Sequence, residues 1–182
     1  STSGMSAAYL APAAAREIYG NPLVITGGSN TPTGRADVDG DAFRLSGRWP
    51  WVSGCNNCDW LKGISVVHEN GKPRLLPSGA PDARMMVFPA SQVTLLDTWQ
   101  VTGLAGSGSG DMEVSAIRVP EAFSYSLVAG KPHESGPLYA FPPFGLLAMG
   151  IAAVALGNAR AAIDDLVDLA GAKKPQGSKR TL

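Results

Sequence analysis

Between Ser46 and Trp60 the chain reads Ser-Gly-Arg-Trp-Pro-Trp-Val-Ser-Gly-Cys-Asn-Asn-Cys-Asp-Trp, the densest run of chemically capable side chains in the molecule. Its two thiols, Cys55 and Cys58, allow three readings. A redox dithiol belongs at a helix N-terminus after a strand in a βαβ unit, which this region lacks. A structural zinc needs two further ligands, and only His68 and His133 remain, far apart in sequence. The third reading, two small buried residues on a bulged strand, takes most of the weight. Trp49, Trp51 and Trp60 also have two uses. They fill a core, with each N–H finding one partner, or they present a flat aromatic wall beside polar donors, as a planar cofactor requires. Composition alone favours core filling.

Other candidates are weaker. Gly103 to Asp111 is glycine-rich and invites a phosphate cradle, but no G-x-G-x-x-G is in register. The stretch runs into a strand pattern (Met112 to Val119) where a dinucleotide fold needs a helix N-terminus. It reads as a flexible loop, with contacts from Ser107 or Ser109 to a cofactor as the lesser alternative. His68 precedes the turn Asn70-Gly71, and His133 lies in a loop, so neither marks a catalyst. Asp164, Asp165 and Asp168 are most simply a solvated helix face. No metal site is expected.

Three zones position these residues. Residues 5–19 are Ala-rich and stop at Gly20, with Pro12 dividing them into one or two short helices. From Leu23 to Val128 short strands follow one another with no helix between: Leu23–Thr26, Phe43–Ser46, Leu61–Val67, Arg84–Phe88, Val93–Leu96 and Met112–Val119. Thr26 leads into a Gly/Ser/Asn/Thr/Pro loop, and Asp39-Gly40-Asp41 and Asn70-Gly71 read as hairpin turns. This pattern predicts an antiparallel barrel or sandwich. From Pro142 to Leu169 the pattern is helical. The part ending at Gly157 is apolar on nearly every face, and the part beyond Asn158 is amphipathic. The apolar part falls short of the ~20 residues of a membrane span, so a helix covered by other helices is expected. Gly150, Ala153 and Gly157 allow close approach of a partner.

Composition narrows the classes. Fifteen Lys plus Arg balance fifteen Asp plus Glu, which gives no field for nucleic acid or an anionic membrane. Two cysteines cannot build a disulfide scaffold. Nothing resembles a cleavable signal peptide, and a cytoplasmic location is the default. The ends, Ser1 and the unpunctuated Gly177–Leu182, suggest a segment of a longer protein.

The block from Gly47 to Trp60 resembles the β-domain signature of acyl-CoA dehydrogenase-fold flavoenzymes, above all the branch of two-component flavin-dependent monooxygenases that hydroxylate phenolic or steroid-derived substrates. Thr31-Pro32-Thr33-Gly34 before the Asp39-Gly40 hairpin is similar to that family's loop over the flavin. Asp97 to Ser109, followed by a strand ending Val119-Pro120-Glu121, resembles the closing segment of its β-domain. Leu156 to Ala162 resembles the first helix of its C-terminal bundle. The resemblance implies an α+β chain: the end of an N-terminal helical domain (1–20), an antiparallel middle β-barrel (21–130) and the start of a C-terminal helical domain (131–182).

It also implies bound FAD or FMN, a small-molecule substrate, possible supply of reduced flavin by a separate reductase, and a homo-oligomer, with neither nucleic acid nor membrane as partner. Asn30, Thr31 and Thr33 are the expected donors to the flavin edge. Trp51, Val52 and Ser53 are the expected wall and second donor set, Val52 through its backbone N–H alone. No catalytic residue carries over, because in this family the reacting groups lie largely in the helical domains. Two alternatives stay open. One is an acyl-CoA dehydrogenase, for which the sequence places no basic cluster to meet a CoA phosphate; the other is a non-catalytic β-domain used in assembly.

Overall fold

The computed structural model describes residues 3–174 and 176–179. The chain divides into two compact units, Ser1–Tyr139 and Ala140–Leu182. The first opens with α1 (Ser3–Tyr9) and α2 (Pro12–Tyr19). Pro12 occupies the first turn of α2, where its missing N–H costs nothing. Eight strands follow: β1 (Thr26–Asp39), β2 (Ala42–Trp49), β3 (Trp60–Glu69), β4 (Lys72–Pro73), β5 (Ala83–Pro89), β6 (Thr94–Leu96), β7 (Asp111–Pro120) and β8 (Ser124–Tyr125).

They form one open sheet of order β6-β7-β2-β1-β3-β5-β8, with β4 paired to β3. The structure therefore corrects the expected antiparallel barrel twice. The sheet has two ends, β6 and β8, and it is mixed, because β1 and β3 run parallel from Thr26↔Trp60 onward. The cause is the Pro50–Asp59 connection. It carries the chain from the end of β2 back to the level where β1 begins, so β3 must repeat the direction of β1. The sheet still curls, since β7 (Met112, Val114, Val119) and β5 (Met86, Phe88) share one core despite the strands between them. The opposite face of β5, Met85 and Val87, packs with Leu10, Ile18 and Tyr125. One strand thus serves both cores by alternation.

A second correction concerns residues 27–34. Glycine is depleted in strands, which makes this stretch read as a loop, yet it lies within β1. Three glycines of neighbouring strands meet around one indole. A Cβ on Gly34, Gly47 or Gly63 would lie 2.2, 2.9 or 2.5 Å from ring atoms of Trp49. Glycine is required by this close approach. Conversely the apolar run before Thr26 is not core: Leu23 and Ile25 are exposed.

In the second unit, α4 (Pro143–Ala172) is one helix of 30 residues, preceded by the short α3 (Pro137–Ala140). Asn158 and Arg160 lie inside the helix rather than ending it, and Arg160 pairs with Asp164 one turn on. The expected shortfall against a membrane span is corrected accordingly. Pro143–Gly171, with a mean hydropathy of 1.7, is long and apolar enough to cross a membrane by length and composition. Ile151, Val154 and Leu156 on this helix are exposed.

Candidate functional site

The site grows from Trp49. Its indole is fully buried at the end of β2 within the three-glycine cage, its Nε1 donates to the Ile64 carbonyl at 2.8 Å, and Phe88 lies 6.0 Å away between ring centroids. Two residues later Trp51 does the opposite. It is 66% exposed and adopts φ 61°, a left-handed conformation that costs an L-residue roughly 1–2 kcal/mol. An aromatic held there, facing solvent, is an outlier of the kind found at binding sites.

The next four residues are fastened to the loop before β7. Val52 is buried, and its N–H donates to the Gly110 carbonyl at 2.9 Å. The Gly54 N–H donates to the Ser107 carbonyl at 2.8 Å. Between these two bonds the Ser53 and Ser109 hydroxyls meet at 2.7 Å, and Ser109 meets Ser107 at the same distance. The Cys55 thiol points to the Gly108 carbonyl at 3.7 Å.

On the β1 side the β1–β3 register shifts between Ser29 and Gly34, so residues 30–33 bulge from the ladder. Asn30 and Thr33 are exposed and Thr31 is half-buried. Thr33 Oγ1 donates to the Arg48 carbonyl at 2.6 Å, which binds the bulge to the strand that ends at Trp49. The Ser29 hydroxyl donates to Thr31 Oγ1 at 3.1 Å. Arg48 itself reaches Asp111 at 2.7 Å, and Thr98 donates to the same carboxylate at 2.8 Å. The hydrogen bond from Arg48 is the main reason the Asp111 carboxyl titrates below its usual range; desolvation opposes it and Thr98 adds to it.

Of the six expected cofactor residues, the structure ties Thr33 to the Arg48 carbonyl and Ser53 to Ser109, and it leaves Trp51 outward. The Val52 side chain is core, and its N–H donates to the Gly110 carbonyl. The thiols are free. Burial, then the neighbouring Cys55 and Asp59, push the Cys58 thiol up, the reverse of an activated nucleophile. Cys55 opens a three-residue 3-10 turn and Cys58 follows its end, so neither sits at the N-terminus of an α-helix. Among the described residues no three His, Cys, Asp or Glu gather as metal ligands. His68 is half-buried at the end of β3, with Nδ1 3.1 Å from the Val66 carbonyl. His133 is exposed, its N–H on the Ala8 carbonyl.

Sequence reasoning missed a second polar constellation. On the α1 side of the sheet Lys62 Nζ donates to Ser6 Oγ at 2.7 Å, and Ser6 meets the Tyr125 hydroxyl at 2.7 Å. Nothing local signals it, since the three residues come from α1, β3 and β8. Burial pulls the Lys62 ammonium below its usual value and raises the Tyr125 phenol well above its own.

The surface around Trp51 thus combines an exposed indole with the Ser53 and Thr33 hydroxyls and the Asn30 side-chain amide. It suits a flat ligand with apolar faces and a hydrogen-bonding rim. No protein-family model matches the sequence. Curated proteins and solved structures do. The chain is 33% identical over 174 residues to an indole-3-acetate monooxygenase of Pseudomonas putida, covering 93% of this chain and 43% of that protein. The homologues of this chain are flavin-dependent monooxygenases.

A second such relative is the oxygenase component of an FADH2-dependent resorcinol hydroxylase from Rhizobium sp., 28% identical over 166 residues, or 87% of this chain and 39% of the relative. XiaF from Streptomyces sp., solved with FADH2 and glycerol, superposes with a TM-score of 0.77 at 25% identity, covering 99% of this chain and 46% of XiaF. The chain therefore spans less than half the length of these three proteins.

Proposed function

We propose that this chain is the flavin-holding part of the oxygenase component of a flavin-dependent monooxygenase that hydroxylates an aromatic or steroid-like substrate. The observation that carries the reading is Trp51, a strained and exposed indole flanked by the Ser53 hydroxyl. A flavin ring is flat, apolar on its faces and rimmed by hydrogen-bonding atoms. When bound in its reduced form it supplies the electrons that activate oxygen. Trp51 would cover one face, and Ser53, Asn30, Thr31 and Thr33 would meet the edge. The part of this chain is to hold the ring still and keep water from it.

In this reading residues 1–20 close an N-terminal helical domain, residues 21–130 are the flavin wall, and residues 131–182 open a C-terminal helical domain. In the same reading α4 is covered by other helices of the longer protein and is not a membrane span. A separate reductase would deliver reduced flavin, in line with the wording "oxygenase component" for the Rhizobium relative, and copies of the protein would associate. An acyl-CoA dehydrogenase is the second reading. The monooxygenase names of the relatives speak against it.

The test is titration of the full-length protein with oxidised and reduced FMN and FAD, followed by admission of oxygen. Binding of reduced flavin with a new absorbance transient on oxygenation is expected. Absence of any flavin binding would refute the proposal.

A further inference from the structure

The hydroxyls of Ser53, Ser109 and Ser107 form a chain that begins two residues after Trp51. The bonds from Val52 to Gly110 and from Gly54 to Ser107 straddle it, which holds the backbones of Ser53 and Ser109 at a spacing across which their hydroxyls meet at 2.7 Å. Next to Ser109, Gly110 lets the Leu96 carbonyl pack against the loop, where a Cβ would lie 2.6 Å from its oxygen. Ser109 is 5% exposed, whereas Ser53 faces solvent.

A hydroxyl carries one proton and can accept through its lone pairs. Ser109, placed between two hydroxyls, can donate to either one while accepting from the other. The chain has two polarities. When protons point from Ser53 through Ser109 to Ser107, the outward side of Ser53 is an acceptor. When they point the other way, Ser53 presents a donor. Only C–O bond rotations separate the two, and no heavy atom moves.

A flavin ring edge makes this reversal useful, because a ring nitrogen that accepts in the oxidised form carries N–H in the reduced form. We propose that Ser109 is a positioning residue for Ser53, and that the Ser53–Ser109–Ser107 chain lets one rigid wall meet both redox forms of the flavin. This rests on the flavin reading of the site.

The test is a double-mutant cycle on the full-length protein, read as the affinity for oxidised and for reduced flavin separately. Ser109→Ala should weaken both forms by roughly three- to tenfold, the size of one hydrogen bond. In a Ser53→Ala background the same change should cost less than about twofold. Ser109→Thr, which keeps the hydroxyl, should recover binding, and Ser107→Ala should give a smaller loss of the same kind. Equal losses in both backgrounds, or no loss, would overturn the positioning role, and a loss confined to one redox form would overturn the two-polarity claim. A wild-type protein that binds neither form refutes the flavin reading itself, an outcome distinct from wild-type binding with additive losses.

Discussion

Replacing Gly63 by alanine tests how the wall is anchored. The new Cβ would lie 2.5 Å from Cε2 of Trp49 and 2.7 Å from its Cδ2 and Nε1, where ordinary carbon contacts are about 3.5–4.0 Å. The indole must retreat by about 1 Å, and it is fully buried, with Gly34 and Gly47 also against its ring. Overpacking of this kind costs roughly 1–3 kcal/mol. The retreat also strains the bond from Nε1 to Ile64, and a buried group left unsatisfied costs a further ~1–3 kcal/mol. The expected loss, about 3–5 kcal/mol, is a large share of the ~5–15 kcal/mol by which a domain is stable. Urea unfolding followed by circular dichroism and tryptophan emission measures it. Gly103→Ala, with no neighbour within 4 Å, is the control and should shift stability by less than ~0.5 kcal/mol. Trp49→Leu should relieve the clash, making the double variant more stable than the summed costs by roughly 1–3 kcal/mol. A Gly63→Ala protein within 0.5 kcal/mol of wild type, or strict additivity with Trp49→Leu, would refute the cage.

Trp51→Gly separates binding from folding. It removes a left-handed L-residue (about 1 kcal/mol gained) and adds unfolded-state entropy of similar size, so thermal stability should hold within ~0.5 kcal/mol while flavin titration shows weaker binding. Lys62→Met should flatten part of the pH dependence of stability. A lysine whose folded value is depressed binds fewer protons folded than unfolded, so its penalty is present at neutral pH and fades as pH rises toward ~10.4. Denaturation of wild type and variant should therefore converge toward that pH. Above about pH 10 the raised Tyr125 phenol acts in the other direction, because the unfolded chain loses that proton first. For Asp111 the folded value is lowered, so its contribution is full above about pH 4 and is lost as pH falls through the folded value. Asp111→Asn should cost about 0.2–1 kcal/mol at pH 7, given the exposure of Arg48, and less at pH 3, as acid titrations would show.

Local signals in the sequence carried local structure. Pro12 marks the start of α2, and Asn70-Gly71 makes the turn between β3 and β4 with positive φ at both residues. What depends on distant partners was not legible. The parallel pairing of β1 with β3 is set by where the Pro50–Asp59 connection delivers the chain. Residues 27–34 look like a loop until Gly27 is seen to face Cys58, Gly28 to face Lys62 and Gly34 to face Trp49, each too closely for a side chain. The three indoles of one motif are alike in sequence and separate in space: Trp49 is core, Trp51 is exposed, and Trp60 stacks on Phe123 at 5.6 Å. Ser109 gains meaning only from Ser53, 56 residues earlier.

These placements explain how an exposed tryptophan can be rigid without being packed. Trp49 cannot move, because three backbones touch its ring. Val52 cannot move, because its side chain is core and its N–H is bonded to Gly110. Only Pro50 and Trp51 lie between them, and proline fixes its own φ near −65°. The backbone of Trp51 is thus determined by its neighbours, which offset the left-handed strain. A ligand that stacks on this indole has little backbone to order on arrival, so less of its contact energy is spent on entropy. A site placed on a packed sheet holds its geometry more tightly than one on a free loop. The strain at Trp51 and the glycines at 34, 47 and 63 are therefore two sides of one device: the cage fixes the strand end, and the strand end aims the ring.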